Sequence, residues 1–162
     1  MAIIYCDMDG VLADFKTAAV RTTGMSINKW MNIPSSKEKW LLIKQKKDFW
    51  STLPWMPGGK QLWSYISKHD PHILSAYVEE SFDPNCIPGK TAWLRKNTGL
   101  SNRSKINLVR RKDKKLFAKR GKPSILIDDY EKNVRDFINA GGQAIHHTNT
   151  SKTISQLKRL GF

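Results

Sequence analysis

Apolar positions in this chain follow two rhythms. Short aliphatic runs at 2–6, 72–75, 106–109, 124–127 and 143–146 read as five strands, the first of them continuous enough to be buried. Between them, apolar side chains recur every three to four residues, which predicts helices. Residues 11–24 fit a helix with Gly24 as its stop. Residues 26–50 carry helical spacing through Trp30, Met31, Trp40, Leu41 and Ile43, and Pro34 divides them into two pieces. Ser35 or Ser36 is suited to cap the second piece. The turn-rich LPWMPGG follows, then an amphipathic helix over 60–68 around Leu62, Trp63 and Ile66. Residues 79–89, with two prolines, read as a loop, and 90–97 as a helix around Trp93 and Leu94. A short basic helix is expected over 113–119, a helix over 131–140 closed by Gly141-Gly142, and a last helix over 151–160. Strands alternating with helices imply an α/β fold, its sheet mostly parallel and covered on both faces. The long helical insertion after the first strand is the candidate for a second, smaller domain.

Composition narrows the class. The chain of 162 residues suits one compact domain with a small insertion, and its 40% hydrophobic content is that of a globular protein. No apolar run reaches the roughly 20 residues that span a membrane, so no membrane partner is expected. The opening MAIIYCDMDG is too short in apolar residues, lacks a basic leader and runs into acids, unlike a signal peptide. Two cysteines, Cys6 in the first strand and Cys86 in a predicted loop, are too few for a disulfide framework, which fits a reducing cytoplasm. Charge is the unusual feature: a net +14 favours polyanions or phosphorylated ligands, unless it is only a basic, well-solvated surface.

The chemistry collects where strands end. Open parallel sheets form their sites at the carboxyl ends of the strands. The first strand runs into Asp7-Met8-Asp9-Gly10, the second ends in Ser75, the basic segment after the third holds Lys114, and the fourth ends in Asp128-Asp129. Four carboxylates at one sheet edge repel unless a cation sits among them, and hard oxygen ligands select Mg²⁺. A carboxylate can then attack a phosphate, with a second acid two residues on to protonate the leaving group. Ser75 and Lys114 are suited to hold the phosphoryl oxygens, and Gly10 to a tight turn that presents backbone amides.

DMDGVLADF, LSA at 74–76 and ILIDDYEKN at 125–133 resemble the first, second and fourth motifs of the haloacid dehalogenase superfamily. Within it, FWSTLPWMPGGKQLW at 49–63, LIDDYEKNV at 126–134 and GGQAI at 141–145 resemble the small 5'(3')-deoxyribonucleotidases. The resemblance implies a Rossmann-like core over 1–14 and 61–162 and a small helical cap over 15–60. It implies a nucleophile at Asp7, an acid/base at Asp9, phosphate binding by Ser75, Ala76 and Lys114, and Mg²⁺ held by Asp7, Asp9, Asp128 and Asp129. It also implies that Phe49 and Trp50 line a nucleobase pocket; read from the residues alone, they are more readily the core of a small helical cap. Lys105, Lys112, Lys115 and Lys119 compete with Lys114, which is preferred because RKDKKLFA places it ahead of an aromatic-Ala pair. The second motif, Ser75-Ala76-Tyr77, departs from the Thr-Ser-Pro-like form of the nucleotidases.

Other features have plainer readings. Asp14 is a helix-face acid as readily as a ligand. His146 and His147 are adjacent, point to opposite faces of an extended segment and read as surface or strand-end residues. Residues 103–122 hold ten Lys or Arg and one acid, and 37–47 add five lysines: two solvated helix faces, a rim that steers a phosphorylated substrate, or a nucleic-acid groove. The expectation is a Mg²⁺-dependent phosphomonoester hydrolase using an aspartyl-phosphate, with nucleoside monophosphates as leading substrates. Phosphorylated DNA or RNA ends are the alternative substrate. A polyanion-binding protein with a vestigial site is the alternative of another class.

Overall fold

The computed structural model describes residues 1–162. Its strands are Ile3–Cys6 (β1), His72–Ala76 (β2), Ile106–Val109 (β3), Ser124–Asp128 (β4) and Gln143–His146 (β5). They form one all-parallel sheet in the order β3-β2-β1-β4-β5. The α/β, Rossmann-like expectation therefore holds. The winding direction reverses between β1 and β4, where such sheets open a crevice at their carboxyl ends. The registers Cys6–Ile127 and Cys6–Ile73 bring the ends of β1, β4 and β2 side by side.

The helices are Phe15–Thr23 (α1), Ile27–Met31 (α2), Ser36–Gln45 (α3), Gly59–Ser67 (α4), Cys86–Thr98 (α5), Glu131–Asn139 (α6) and Thr150–Arg159 (α7). None is long and apolar enough to cross a membrane. By their contacts the residues divide into two units.

The first unit comprises Met1–Ala13, Trp55–Ala76 and Asn102–Phe162, and holds the whole sheet. Strand alternation sends Tyr5, Leu74 and Leu126 to one face, where they pack with Phe117, Ala118 and Phe137. Tyr5 meets Phe117 and Phe137 edge-on, at centroid distances of 5.5 and 6.4 Å. Phe137 ties α6 to that face. Burying these rings stabilises the sheet by roughly 1.5–3 kcal/mol per large side chain.

The second unit comprises Asp14–Pro54 and Tyr77–Ser101. Residues 77–101 thus group with the helical segment rather than with the core, which is where the sequence alone assigns them. The reason lies in side chains far apart in sequence: Trp50 Nε1 donates to Asp83 at 2.7 Å and Trp93 Nε1 to the Leu53 carbonyl at 2.7 Å. Phe15 sits among Trp30, Trp40, Phe49 and Trp50, stacked on Trp50 at 5.4 Å.

Two helix starts differ from expectation. α1 begins at Phe15 because Asp14 caps it, its Oδ1 accepting from Thr17 N–H at 3.1 Å and its Oδ2 from the Thr17 hydroxyl at 2.7 Å. Residues 10–13 instead form a tight loop in which the Met8 carbonyl accepts from the N–H groups of Val11, Leu12 and Ala13. α5 begins at Cys86, inside the predicted loop. Pro88 falls in its first turn, where a missing N–H breaks no helical bond. The basic segment is a 3-10 helix, Arg111–Phe117.

Candidate active site

Asp7 follows the last residue of β1, and its N–H donates to the Ile127 carbonyl at 2.9 Å, which sets it beside Asp128 at the end of β4. Asp7 Oδ1 accepts from the Met8 N–H at 2.8 Å and pairs with Lys114 Nζ at 3.1 Å. Lys114 Nζ also donates to Asp128 Oδ2 at 2.8 Å. The lysine, 3% exposed, thus bridges the two strand-end carboxylates. Neither Lys112 nor Lys115, both exposed in the same 3-10 helix, makes such a bridge.

Asp128 is wholly buried and its oxygens are well occupied. Oδ1 accepts from the Tyr130 N–H at 2.9 Å, and Oδ2 accepts from Asn133 Nδ2 at 3.1 Å besides Lys114. The sequence gives Asn133 no role of its own. It stands five residues after Asp128, in the early part of α6, a spacing at which a polar side chain reaches back to the strand end. The backbone of Asp128 is held too: its carbonyl accepts from His147 N–H at 2.8 Å. His146 Nε2 lies 3.0 Å from the Asp129 carbonyl oxygen. His147 is buried rather than on the surface, its Nδ1 2.7 Å from the Thr153 hydroxyl.

One oxygen each from Asp7, Asp128 and Asp129 lies within 4.8 Å of the others. The side chain of Asp9, expected as a fourth acid, is not in that cluster. Electrostatics follow from the crowding. Burial first, then the Asp7 charge, pushes the Asp128 carboxyl up to about 6; burial, Asp7 and Asp128 push Asp129 up to about 7. Burial would depress Lys114, but the Asp7 and Asp128 charges outweigh it and keep the ammonium protonated. Cys6 is fully buried, and burial with the adjoining Asp7 and Asp128 charges raises its thiol, so it stays protonated and inert.

Ser75, 1% exposed, lies in β2 beside β1, and Ala76 ends that strand. Asp14 serves α1 as its cap. Phe49 and Trp50, read as pocket-lining, are each 1% exposed and face Phe15 and each other within the helical unit. As placed, neither offers a ring face to solvent. Cys86 is buried at the start of α5, where its Sγ accepts from Val78 N–H at 3.4 Å.

No known family profile matches the chain, and no curated protein sequence matches it. Solved structures do. L-2-haloacid dehalogenase from Xanthobacter autotrophicus matches with a TM-score of 0.57 at 12% identity, over 99% of this chain and 83% of that one. A hydrolase from Streptococcus pneumoniae TIGR4 matches with a TM-score of 0.55 at 11% identity, over 96% and 97%. CbbY from Rhodobacter sphaeroides, in complex with phosphate, matches with a TM-score of 0.54 at 15% identity, over 88% and 84%. The architecture is the Rossmann-like fold of haloacid dehalogenase-type hydrolases.

Proposed function

We propose that the chain is a phosphomonoester hydrolase of the haloacid dehalogenase type, with Asp7 as its nucleophile and a nucleotide as its substrate class. One observation carries the reading: Asp7 is held at a strand end by Met8 N–H and Lys114, with the Asp128 and Asp129 carboxylates gathered beside it. Nucleotide preference rests on the deoxyribonucleotidase-like segments and on the +14 net charge.

The donor set fits a hard divalent cation. It is all oxygen, it gathers three carboxylates, and burial and mutual repulsion raise two of them, the condition a bound cation relieves. Asp7, Asp128 and Asp129, with the Asp9 backbone carbonyl, are the groups proposed to hold Mg²⁺. Bound there, the ion would supply charge neutralisation for an anionic nucleophile meeting an anionic phosphate.

The protein's own groups account for the remaining steps. Asp7 Oδ2, the oxygen not engaged by Met8 and Lys114, attacks phosphorus as the bond to the leaving oxygen breaks. Asp9, protonated, gives its proton to the leaving alkoxide. Asp9, now a carboxylate, takes a proton from water, whose oxygen attacks the phosphorus of the Asp7 acyl phosphate. That bond breaks, inorganic phosphate departs and Asp7 is regenerated. Ser75, the Ala76 backbone and Lys114 orient the phosphoryl oxygens and offset their charge.

The test is hydrolysis of p-nitrophenyl phosphate and of a panel of nucleoside monophosphates, with Mg²⁺ and with EDTA, by the protein and by Asp7→Asn. Turnover that needs Mg²⁺ and falls at least a hundredfold in the variant supports the reading. An Asp7→Asn protein with more than about a tenth of the activity, a loss of only ~1.4 kcal/mol, overturns the mechanism.

A further inference from the structure

The rim of the carboxylate cluster carries a second feature. Tyr130 follows Asp128-Asp129 directly, and its N–H is bound to Asp128 Oδ1. At 49% exposure it is the one Phe, Tyr or Trp side chain of the protein that stands largely open to solvent. Over its ring, 5.3 Å from the centroid, lies the guanidinium of Arg111. Arg111 opens the 3-10 helix that supplies Lys114. Residues three apart in such a helix eclipse, so Arg111 stands on the same side as Lys114, about 6 Å further along. Arg110 and Lys112 flank it, both exposed, and Arg110 directly follows β3, next to the β2 end that bears Ser75 and Ala76. The acids nearest in sequence are Asp113, partly buried, the cluster's own Asp128 and Asp129, and Glu131. A free mononucleotide presents its charge at one point and leaves three cations outside the phosphate site with no phosphate to bind.

We infer that Arg110, Arg111, Lys112 and Tyr130 form a binding track for single-stranded nucleic acid whose terminal phosphate enters the Asp7 site. The inference rests on the phosphohydrolase reading for what happens to that phosphate, but not for binding. The three cations take backbone phosphates beyond the terminal one. Tyr130, with Arg111 over it, gives the neighbouring base a stacking surface, which tolerates any base identity. The nucleotide substrate is then taken in preference as the phosphorylated end of a strand, over its free form.

Binding is measured by fluorescence anisotropy of a labelled, 5'-phosphorylated single-stranded octanucleotide to Asp7→Asn, and to the unaltered protein in EDTA, over a salt series. Each phosphate contact contributes about −0.7 to the log–log slope. The triple variant R110Q/R111Q/K112Q should flatten the slope by roughly 1.4 to 2.1, two to three contacts. K152Q/K158Q/R159Q removes the same charge from α7, which packs on β5 and α4, and should leave the slope alone. Tyr130→Ala should weaken binding roughly tenfold with the slope kept. With Mg²⁺, kcat/KM for the octanucleotide should exceed that for the mononucleotide more than tenfold at low salt. Equal flattening by both triple variants, or absence of a salt-dependent interaction, overturns the track. Binding that obeys these rules without hydrolysis of any phosphomonoester overturns the catalytic reading and leaves the track standing. Mononucleotide hydrolysis with no preference for the strand does the opposite.

Discussion

The Asp129 carboxylate lies in the space that a Cβ on Gly10 would fill, with Oδ2 its nearest atom. Gly10 also has φ +79°, a conformation that a side chain disfavours by roughly 1–2 kcal/mol. The glycine of DMDG is thus tied to the second aspartate of IDD, 119 positions later in the chain (129 minus 10). One segment turns tightly so that the other's carboxylate can reach the cluster.

Gly10→Ala is therefore expected to harm the site more than the fold. Stability should fall by about 1–2 kcal/mol from the backbone conformation. The displaced Asp129 should weaken Mg²⁺ binding at least tenfold. Thermal melts with and without Mg²⁺ check both: the variant should lose most of the metal-induced rise in Tm. An unchanged rise would show that Asp129 does not depend on Gly10 for its place.

Asp129 gives a pH prediction. Its folded carboxyl is raised to about 7, first by burial, then by Asp7 and Asp128. A carboxyl that binds its proton more tightly when folded contributes stability at low pH, lost as pH rises from the unfolded value of about 3.9 through 7. In EDTA, Asp129→Asn should then be more stable than the parent at pH 8 by a few kcal/mol at most, and about equal to it near pH 4. In Mg²⁺ the order should reverse at pH 8, because the variant has lost a ligand charge. His147, depressed by burial, titrates in both proteins and drops out of the difference. Urea denaturation of both at the two pH values, with and without Mg²⁺, is the check. Parallel curves would rule out the strain assigned to the cluster.

Much of the fold, and the gathering of the candidate site's acids at strand ends, is legible from residues alone, and the exceptions share a cause. β3, β4 and β5 are readable because aliphatic runs so short, set between turns, are too brief to be helices, and IDD and DMDG mark their own strand ends. Lys114 is separable from its lysine neighbours only by resemblance, since exposure and partners, not charge, distinguish it from Lys112 and Lys115. Asn133 is invisible in sequence because its role is a contact with a residue one turn before its helix. The grouping of 77–101 with 14–54 depends on Trp50–Asp83 and Trp93–Leu53, pairs 33 and 40 positions apart. Phe49 and Trp50 look like ligand aromatics and are packed against Phe15. Sequence spacing cannot tell a ring that faces a ligand from a ring that faces another ring.

Metal exchange follows from the donor set. Mg²⁺ demands a tight octahedral shell, whereas Ca²⁺ takes six to eight oxygens at longer distances. Ca²⁺ should bind the three carboxylates and raise Tm, yet leave the attacking oxygen of Asp7 misplaced. Hydrolysis of p-nitrophenyl phosphate should vanish in EDTA, return with Mg²⁺ and be inhibited competitively by Ca²⁺. Full activity after exhaustive chelation would remove the metal from the mechanism.

Lys114 is the sharpest single test of the site's architecture. It is 3% exposed and joins Asp7 at 3.1 Å to Asp128 at 2.8 Å, so its removal leaves two buried carboxylates facing each other. Breaking a buried ion pair by deleting one partner usually destabilises by about 3–5 kcal/mol. Lys114→Met keeps length and apolar volume while removing only the charge. In EDTA it should show a loss of that size at pH 8, and a smaller one near pH 5, where protonation of Asp128 relieves the repulsion. Mg²⁺ should restore part of the stability, since a cation substitutes for the ammonium between the carboxylates. It should not restore turnover, because the phosphoryl oxygens have lost a fixed positive partner. Lys115→Met, one residue on and exposed, should change stability by less than about 0.5 kcal/mol and leave turnover intact. Urea denaturation at the two pH values and p-nitrophenyl phosphate hydrolysis by both variants decide it. If Lys114→Met matches Lys115→Met in stability and rate, the bridge between Asp7 and Asp128 does not hold the site together.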